Sequence, residues 1–317
     1  MFDFHTHFIP QKVLTWLKEN KQQVNANWIQ EETGKNEFLV VNRKWSFELK
    51  PEFYDVELYI KEQAKAGVTH SVISPVPQLF LYDFDPEITM EISQVYNEAL
   101  IEQSKMNPER ISALCTVPLN DPVQAARVLK ETMQKGMKGV IIGPGINEKL
   151  LSDEFFFPFF AEANRLNAIV FIHPLLNNDP RIRKKKMPNL IGVPWETTVC
   201  ALDIILSGIM DQFPNIRFLL AHGGGFLPYQ IGRINQGYSM WNDVSSNLRY
   251  PPSEYMKHFW YDSVLWNPAS LELLVQTVGE ERIVPGSDYP FDLSVWPPEQ
   301  KLAKGTSSLL HEKLAFL

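Results

Sequence analysis

The sequence is poor in cysteine, in positive charge and in long apolar runs. Its 317 residues contain two cysteines, Cys115 and Cys200, and no Cys-x-x-Cys pair. A disulfide scaffold is therefore not expected, and both thiols read as core residues of a protein kept in a reducing compartment. The formal net charge is −7. Binding a phosphate backbone calls for clustered cations, so a nucleic-acid partner is not expected. The single basic block, Arg181-Ile-Arg-Lys-Lys-Lys186, reads as a solvated loop. No apolar run reaches the ~20 residues of a bilayer span, and no charged segment followed by an apolar stretch opens the chain. A cleaved leader would also remove His5 and His7. No membrane association and a cytoplasmic location are the expectation. Internal repeats, low-complexity tracts and Gly/Ser linkers are missing too, so residues 1–317 read as one domain.

Apolar residues make up 44% and charged residues 21%, enough to bury a sizeable core. Their distribution has a rhythm. Short apolar runs end in a polar residue, and each is followed by a helical pattern. The runs are 1–4, 71–73, 111–116, 139–142, 169–172, 216–221, 259–261 and 282–284. Most are rich in Val, Ile, Leu and Phe, as in parallel strands covered on both faces. Helices are expected over 52–66, 87–106, 121–134, 153–166, 196–212 and 268–278. Pro51 before the first, and Gly67 and Gly136 after the first and third, supply the usual termini. Eight strands alternating with helices predict an α/β chain, a (β/α)8 TIM-like barrel. An open doubly wound sheet is the second choice, but no Gly-rich phosphate fingerprint follows the first strand. Residues 19–50 break the rhythm and read as a small insertion, a hairpin or lid beside the barrel mouth; residues 174–194 form a second long loop.

Chemistry-bearing residues gather where strands end. His5 and His7 are two apart, so on a strand they share a face and can chelate one metal ion. Taken alone, they could equally be polar residues closing a strand. Strand five ends at His173, strand six at His222 and strand eight at Asp288. Three of the seven histidines, His70, His258 and His311, fall outside this pattern. In a barrel, the C-terminal ends of the strands form the active-site rim.

His5-Thr-His7, Ile172-His173-Pro174, Ala221-His222-Gly-Gly-Gly225 and Gly286-Ser-Asp288-Tyr-Pro-Phe291 together resemble the motifs of the amidohydrolase superfamily. More narrowly, they resemble its 2-amino-3-carboxymuconate 6-semialdehyde decarboxylase branch. Pro194-Trp-Glu196-Thr, Gly232-Arg233, Pro251-Pro-Ser-Glu-Tyr255 and Asp262-Ser263 extend the likeness from Met1 to about Asp292. The resemblance implies that His5, His7, His173 and Asp288 bind one divalent metal, with zinc the expected ion. It implies His222 as general base and proton donor, with Asp288 sharing the catalytic centre. A small-molecule carboxylate would be the substrate, gripped by Arg43 in the insertion, with Lys44 as a second choice there. Arg233 would reach the partner's site in a homodimer, and Phe291 would wall the pocket. On its own helix Arg233 lies eleven residues after His222, roughly 10 Å beyond the helix start, too far for its own site. An ordinary surface arginine would have the same spacing.

Glu196 and Asp262 read either as partners that orient ligand histidines or as caps. Gly223–Gly225 read as close backbone approach beside His222. Non-oxidative decarboxylation is the activity implied for an unsaturated or aromatic acid. Hydrolysis of a lactone or amide, or hydration of an unsaturated dicarboxylate, would use the same ligands. A single metal is expected, because strand four ends Val140-Ile-Ile-Gly-Pro-Gly145 with no bridging group. The chain ends at Leu310–Leu317, where resembling chains continue, so the packing of the last helix is left open.

Overall fold

The computed structural model describes residues 1–30, 36–42, 45–177, 179–299 and 302–311. Eight short parallel strands lie at its centre. They are β1 (Phe2–His7), β2 (His70–Ser74), β3 (Ile111–Ala113), β4 (Gly139–Ile142), β5 (Ile169–Ile172), β6 (Arg217–Leu220), β7 (Trp260–Asp262) and β8 (Ile283–Val284). Each pairs with its neighbour in the chain, in one run of three and one of five. Backbone hydrogen bonds cross both seams between these runs. After β3, Cys115 N donates to Gly139 O and Ile141 N to Cys115 O, each at 2.9 Å. After β8, Asp288 N donates to His5 O at 2.7 Å and His7 N to Tyr289 O at 2.9 Å. The last strand therefore feeds directly into the first, which brings His5, His7 and Asp288 together.

Residues of β4 and β5 are wholly buried, as expected of strands covered on both faces. Helices follow the strands and cover them: Pro86–Met106, Pro122–Gln134, Phe157–Arg165, Val193–Leu206, Leu227–Met240 and Pro268–Val278. The Asp85 and Asp121 side chains accept from Glu87 N and Gln124 N, fixing two helix starts. The final helix, Ala303–His311, packs on β8, and Arg217 Nη1 donates to its Leu309 O at 3.0 Å.

The segment expected as an insertion over 19–50 holds a three-stranded antiparallel sheet, Asn27–Ile29, Phe38–Val41 and Trp45–Glu48, one strand more than a hairpin, and a helix, Gln11–Glu19, precedes it. Lys50 ties the end of this sheet to the loop after Asp288, bonding Asp292 Oδ1 at 2.7 Å and Pro290 O at 3.2 Å. One helical stretch, Pro188–Leu206, is long and apolar enough on average to match a bilayer span, although Asn189, Glu196 and Asp203 interrupt it. Its apolarity has a local cause. Cys200, Ala201, Ile204 and Ile205 pack into the core, while Val193, Trp195 and Val199 face the cavity described below.

Candidate metal centre

Five side chains from four strand ends converge on one buried point. His5, His173, His222 and Asp288 place ligand atoms within 4.8 Å of one another. His7 joins them, its Nε2 being 3.2 Å from His5 Nε2 and 3.2 Å from Asp288 Oδ1. Asp288 Oδ1 is 3.1 Å from His5 Nε2, and Oδ2 is 3.5 Å from His222 Nε2. The far nitrogens divide the histidines into two kinds. Nδ1 of His5 donates to Asp262, Nδ1 of His7 to Pro75 O at 3.1 Å, and Nδ1 of His173 to Pro174 O at 2.8 Å. Such bonds fix the ring and leave Nε2 as a ligand lone pair. His222 Nδ1 is buried with no hydrogen-bond partner.

Asp262, at the end of β7, links the two kinds. Its carboxylate accepts from His5 Nδ1 and from the backbone amides of His222 (3.0 Å), Gly223 (3.0 Å) and Val264 (3.1 Å). It therefore orients a histidine of the centre and also pins the turn that presents His222. Both alternatives for Asp262 hold at once. Glu196 does neither, because its carboxylate accepts from Asn177 instead. His222 and Asp288 have φ of 54° and 60°, left-handed values that cost about 1–2 kcal/mol for residues other than glycine. Such strain is tolerated where the surrounding bonds over-determine it, as they do here.

These residues fit a divalent cation. His173 Nε2 and Asp288 Oδ1 are buried and make no hydrogen bond. Atoms of this kind cost about 1–3 kcal/mol each if left unsatisfied. Burial opposes charge on His5, yet Asp288 and Asp262 outweigh it and raise its pKa to about 10. Burial and then the neighbouring histidines His5 and His7 push His173 well below its usual range. Burial opposes charge on Asp288, yet His5 and the close histidine nitrogens outweigh it and hold its carboxyl well below the usual carboxylate range. The carboxylates thus demand positive charge at the point where the imidazole nitrogens offer lone pairs.

The amidohydrolase family model matches residues 2–310. The chain belongs to the amidohydrolase family. It is 30% identical over 304 residues to the 2-amino-3-carboxymuconate-6-semialdehyde decarboxylase of Dictyostelium discoideum, an alignment covering 94% of this chain and 84% of that one. Among solved structures it resembles the 5-carboxyvanillate decarboxylase of Sphingomonas paucimobilis, with TM-score 0.76, 22% identity and coverage of 92% and 88%. It also resembles a dihydroxybenzoic acid decarboxylase from a Polaromonas species that holds manganese and 2-nitroresorcinol, with TM-score 0.73, 18% identity and coverage of 92% and 86%.

In this amidohydrolase the centre opens into a cavity of about 1440 Å³. His173, His222 and Asp288 reach it, and Phe291 lines it, packed edge-on against His7 with ring centroids 5.2 Å apart. Tyr289, two residues before it, stacks on Trp296, with centroids 4.2 Å apart. Arg233 is exposed and does not line the cavity. Arg43 and Lys44 lie outside the described residues. Three cavity features escaped the sequence. Gln78 lines the cavity with its Oε1 buried and unpaired. Trp266 stacks on His222 at 6.1 Å and donates from Nε1 to Leu293 O at 2.8 Å. Lys185 and Lys186, read as a solvated loop, border the cavity. The sequence carried a signal only for Trp266, which lies four residues past Asp262 at a strand end.

Proposed function

We propose that this protein is a metal-dependent non-oxidative decarboxylase of an unsaturated or aromatic carboxylic acid. The observation that carries it is the pairing of a cation-demanding cluster with His222, whose Nε2 faces Asp288 at 3.5 Å and whose ring reaches the cavity. The likeness to the Dictyostelium decarboxylase over most of both chains supports the same reading. His5, His7, His173 and Asp288 would hold one divalent metal, because the far nitrogens of the three histidines are committed to orienting partners and Asp288 Oδ1 is buried without a hydrogen bond. Zinc suits this mixed nitrogen and oxygen set, and so does manganese. When bound, the metal supplies Lewis acidity toward substrate oxygen.

The chain's own residues do the rest. Phe291 and the aromatic walls exclude water and hold the ring or diene of the substrate. His222 in its protonated form delivers a proton to the carbon bearing the carboxylate. The bond from that carbon to the carboxylate then breaks, its electron pair stays with the carbon, and CO2 departs. His222 recovers its proton from solvent. Asp262 keeps the His222 turn and the His5 ring in place throughout.

We read the eight strands as a closed (β/α)8 barrel, since backbone hydrogen bonds span both seams. The sheet over 27–48 then sits as a lid at its mouth, with Phe38 and Phe47 against the cavity. A cytoplasmic homodimer, with Arg233 and Arg43 gripping the substrate carboxylate, completes the reading. The test is a panel of muconate-type, aromatic and lactone acids given to the zinc- or manganese-loaded protein. CO2 release and acid release are followed separately. CO2 is expected from a carboxylate substrate. Fast hydrolysis of a lactone or amide, with no acid losing CO2, would overturn the proposal in favour of a hydrolase.

A further inference from the structure

We propose that Lys185 and Lys186 form an anion-recognising rim that selects substrates with a second carboxylate, remote from the one that reacts. This rests on the decarboxylase reading and names the substrate class more closely. The cavity has two ends. His173, His222 and Asp288 are buried, whereas Lys185 and Lys186 are exposed where it opens to solvent. Among the described residues these two lysines are the only Lys or Arg side chains lining it. The other acidic groups at its wall are already engaged: Asp292 with Lys50 at 2.7 Å, and Glu48 with Asn36 at 3.1 Å. Neither lysine ammonium has an ion-pair partner among the described residues, whereas Arg181 of the same basic run is held by Asp179.

The backbone turn that carries the lysines is also held in place. Both have left-handed backbone, with φ of 51° and 61°. Lysine gains nothing intrinsic from that conformation, so the turn must be stabilised by its surroundings. Lys186 O accepts from Asn189 N at 3.0 Å and Leu190 N at 2.9 Å, Lys184 N donates to Ile182 O at 2.8 Å, and Ile182 is buried. The cavity, about 1440 Å³, exceeds the ~300–1000 Å³ usual for small-molecule sites, which leaves room for an acid longer than one ring. On a chain of net charge −7, two unneutralised cations at the mouth create a local field that draws a dianion in.

The experiment measures binding, with CO2 release from the same acids followed separately. Titration calorimetry on the zinc-loaded protein compares three pairs of probes: muconate with its monomethyl ester, terephthalate with benzoate, and a biphenyl dicarboxylate with the biphenyl monocarboxylate. At least one diacid is expected to bind about three- to tenfold more tightly than its monoacid partner, with the margin shrinking in salt. The double variant Lys185→Gln/Lys186→Gln should lose the preference and keep the metal. The double variant Lys185→Arg/Lys186→Arg should restore it, which a merely structural role would not require. Each single Gln variant is measured alongside, in case the double variant melts early. If no pair shows a preference, or the preference survives in the Gln variants, the proposal fails. A lysine-dependent preference without CO2 release from any acid would sink the decarboxylase reading alone. CO2 release from monoacids and diacids alike, unchanged by the Gln substitutions, would sink the rim alone.

Discussion

At the scale of single residues, the proposed division between ligands and proton carrier rests on what happens on the far side of each ring. His5, His7 and His173 each spend Nδ1 on a carboxylate or carbonyl, whereas His222 does not. That difference yields a prediction. His173→Ala should remove a ligand and a large share of the bound metal, read by elemental analysis after dialysis. His222→Ala should keep its metal and lose the rate by on the order of 10²-fold or more, the usual worth of a positioned acid–base group. Release of metal from both variants alike would move His222 into the ligand set, which its place within the 4.8 Å cluster makes a concrete alternative. These residues were legible because they close apolar strands: once a strand is placed, its terminal side chain is placed too. Lys185, Lys186 and Gln78 were not, because a loop residue's approach to a cavity depends on packing between elements that no local pattern encodes.

At the scale of elements, β4 and β5 begin and end where the apolar runs do, while the helices drift at their ends. The helix expected over 196–212 starts earlier, at Val193, and breaks at Gly208, whose φ is 79°. Pro194 lies in its first turn, a position proline favours, so that start carried a signal in the sequence. The helix expected over 52–66 starts at Val56 because Asp55 caps it, with a separate short turn before it at Pro51–Phe53. In the inserted sheet, the strand Asn27–Ile29 is short and has no buried residue, so no alternation marked it. The glycine turn after β6 was legible and has a measurable consequence. A Cβ on Gly225 would lie 2.2 Å from Pro194 O and 2.6 Å from Thr198 Oγ1, at a φ of 65°. The helix Val193–Leu206 therefore sets how closely the turn carrying His222 can approach. Gly225→Ala should destabilise by about 2 kcal/mol or more, from left-handed strain and overpacking together. It should also depress activity by displacing His222. Gly232→Ala is the control, because its added Cβ meets nothing within 4 Å. In a helix interior that change should be neutral or slightly stabilising. Equal melting temperatures for the two variants would refute the close-approach account.

At the scale of the whole molecule, the site as described lacks a planar cation for the reacting carboxylate. A guanidinium suits that task because it donates two parallel hydrogen bonds. Arg233 is exposed on the helix Leu227–Met240 and does not line its own cavity. The same helix leaves Tyr229 79% and Met240 67% exposed, and Trp241 just beyond it 59%, more large apolar surface than one solvated helix needs. A second copy of the chain would cover that face. Two-fold symmetry would make the exchange reciprocal, each Arg233 entering the other subunit's cavity. The prediction concerns two variants, each inactive by itself. Arg233→Ala lacks the donated arginine, and His222→Ala lacks the proton carrier. In a mixed dimer, one cavity combines an intact His222 with an intact Arg233 from across the interface, while the other lacks both. Random exchange makes half of the dimers mixed, and one of their two sites works, so about a quarter of wild-type activity should return when subunit exchange is complete. The exchange itself is followed by labelling the two variants differently and measuring energy transfer. Full activity in Arg233→Ala alone, or no recovery once exchange is demonstrated, would return Arg233 to the status of an ordinary surface residue and leave the carboxylate to a cation of the same subunit.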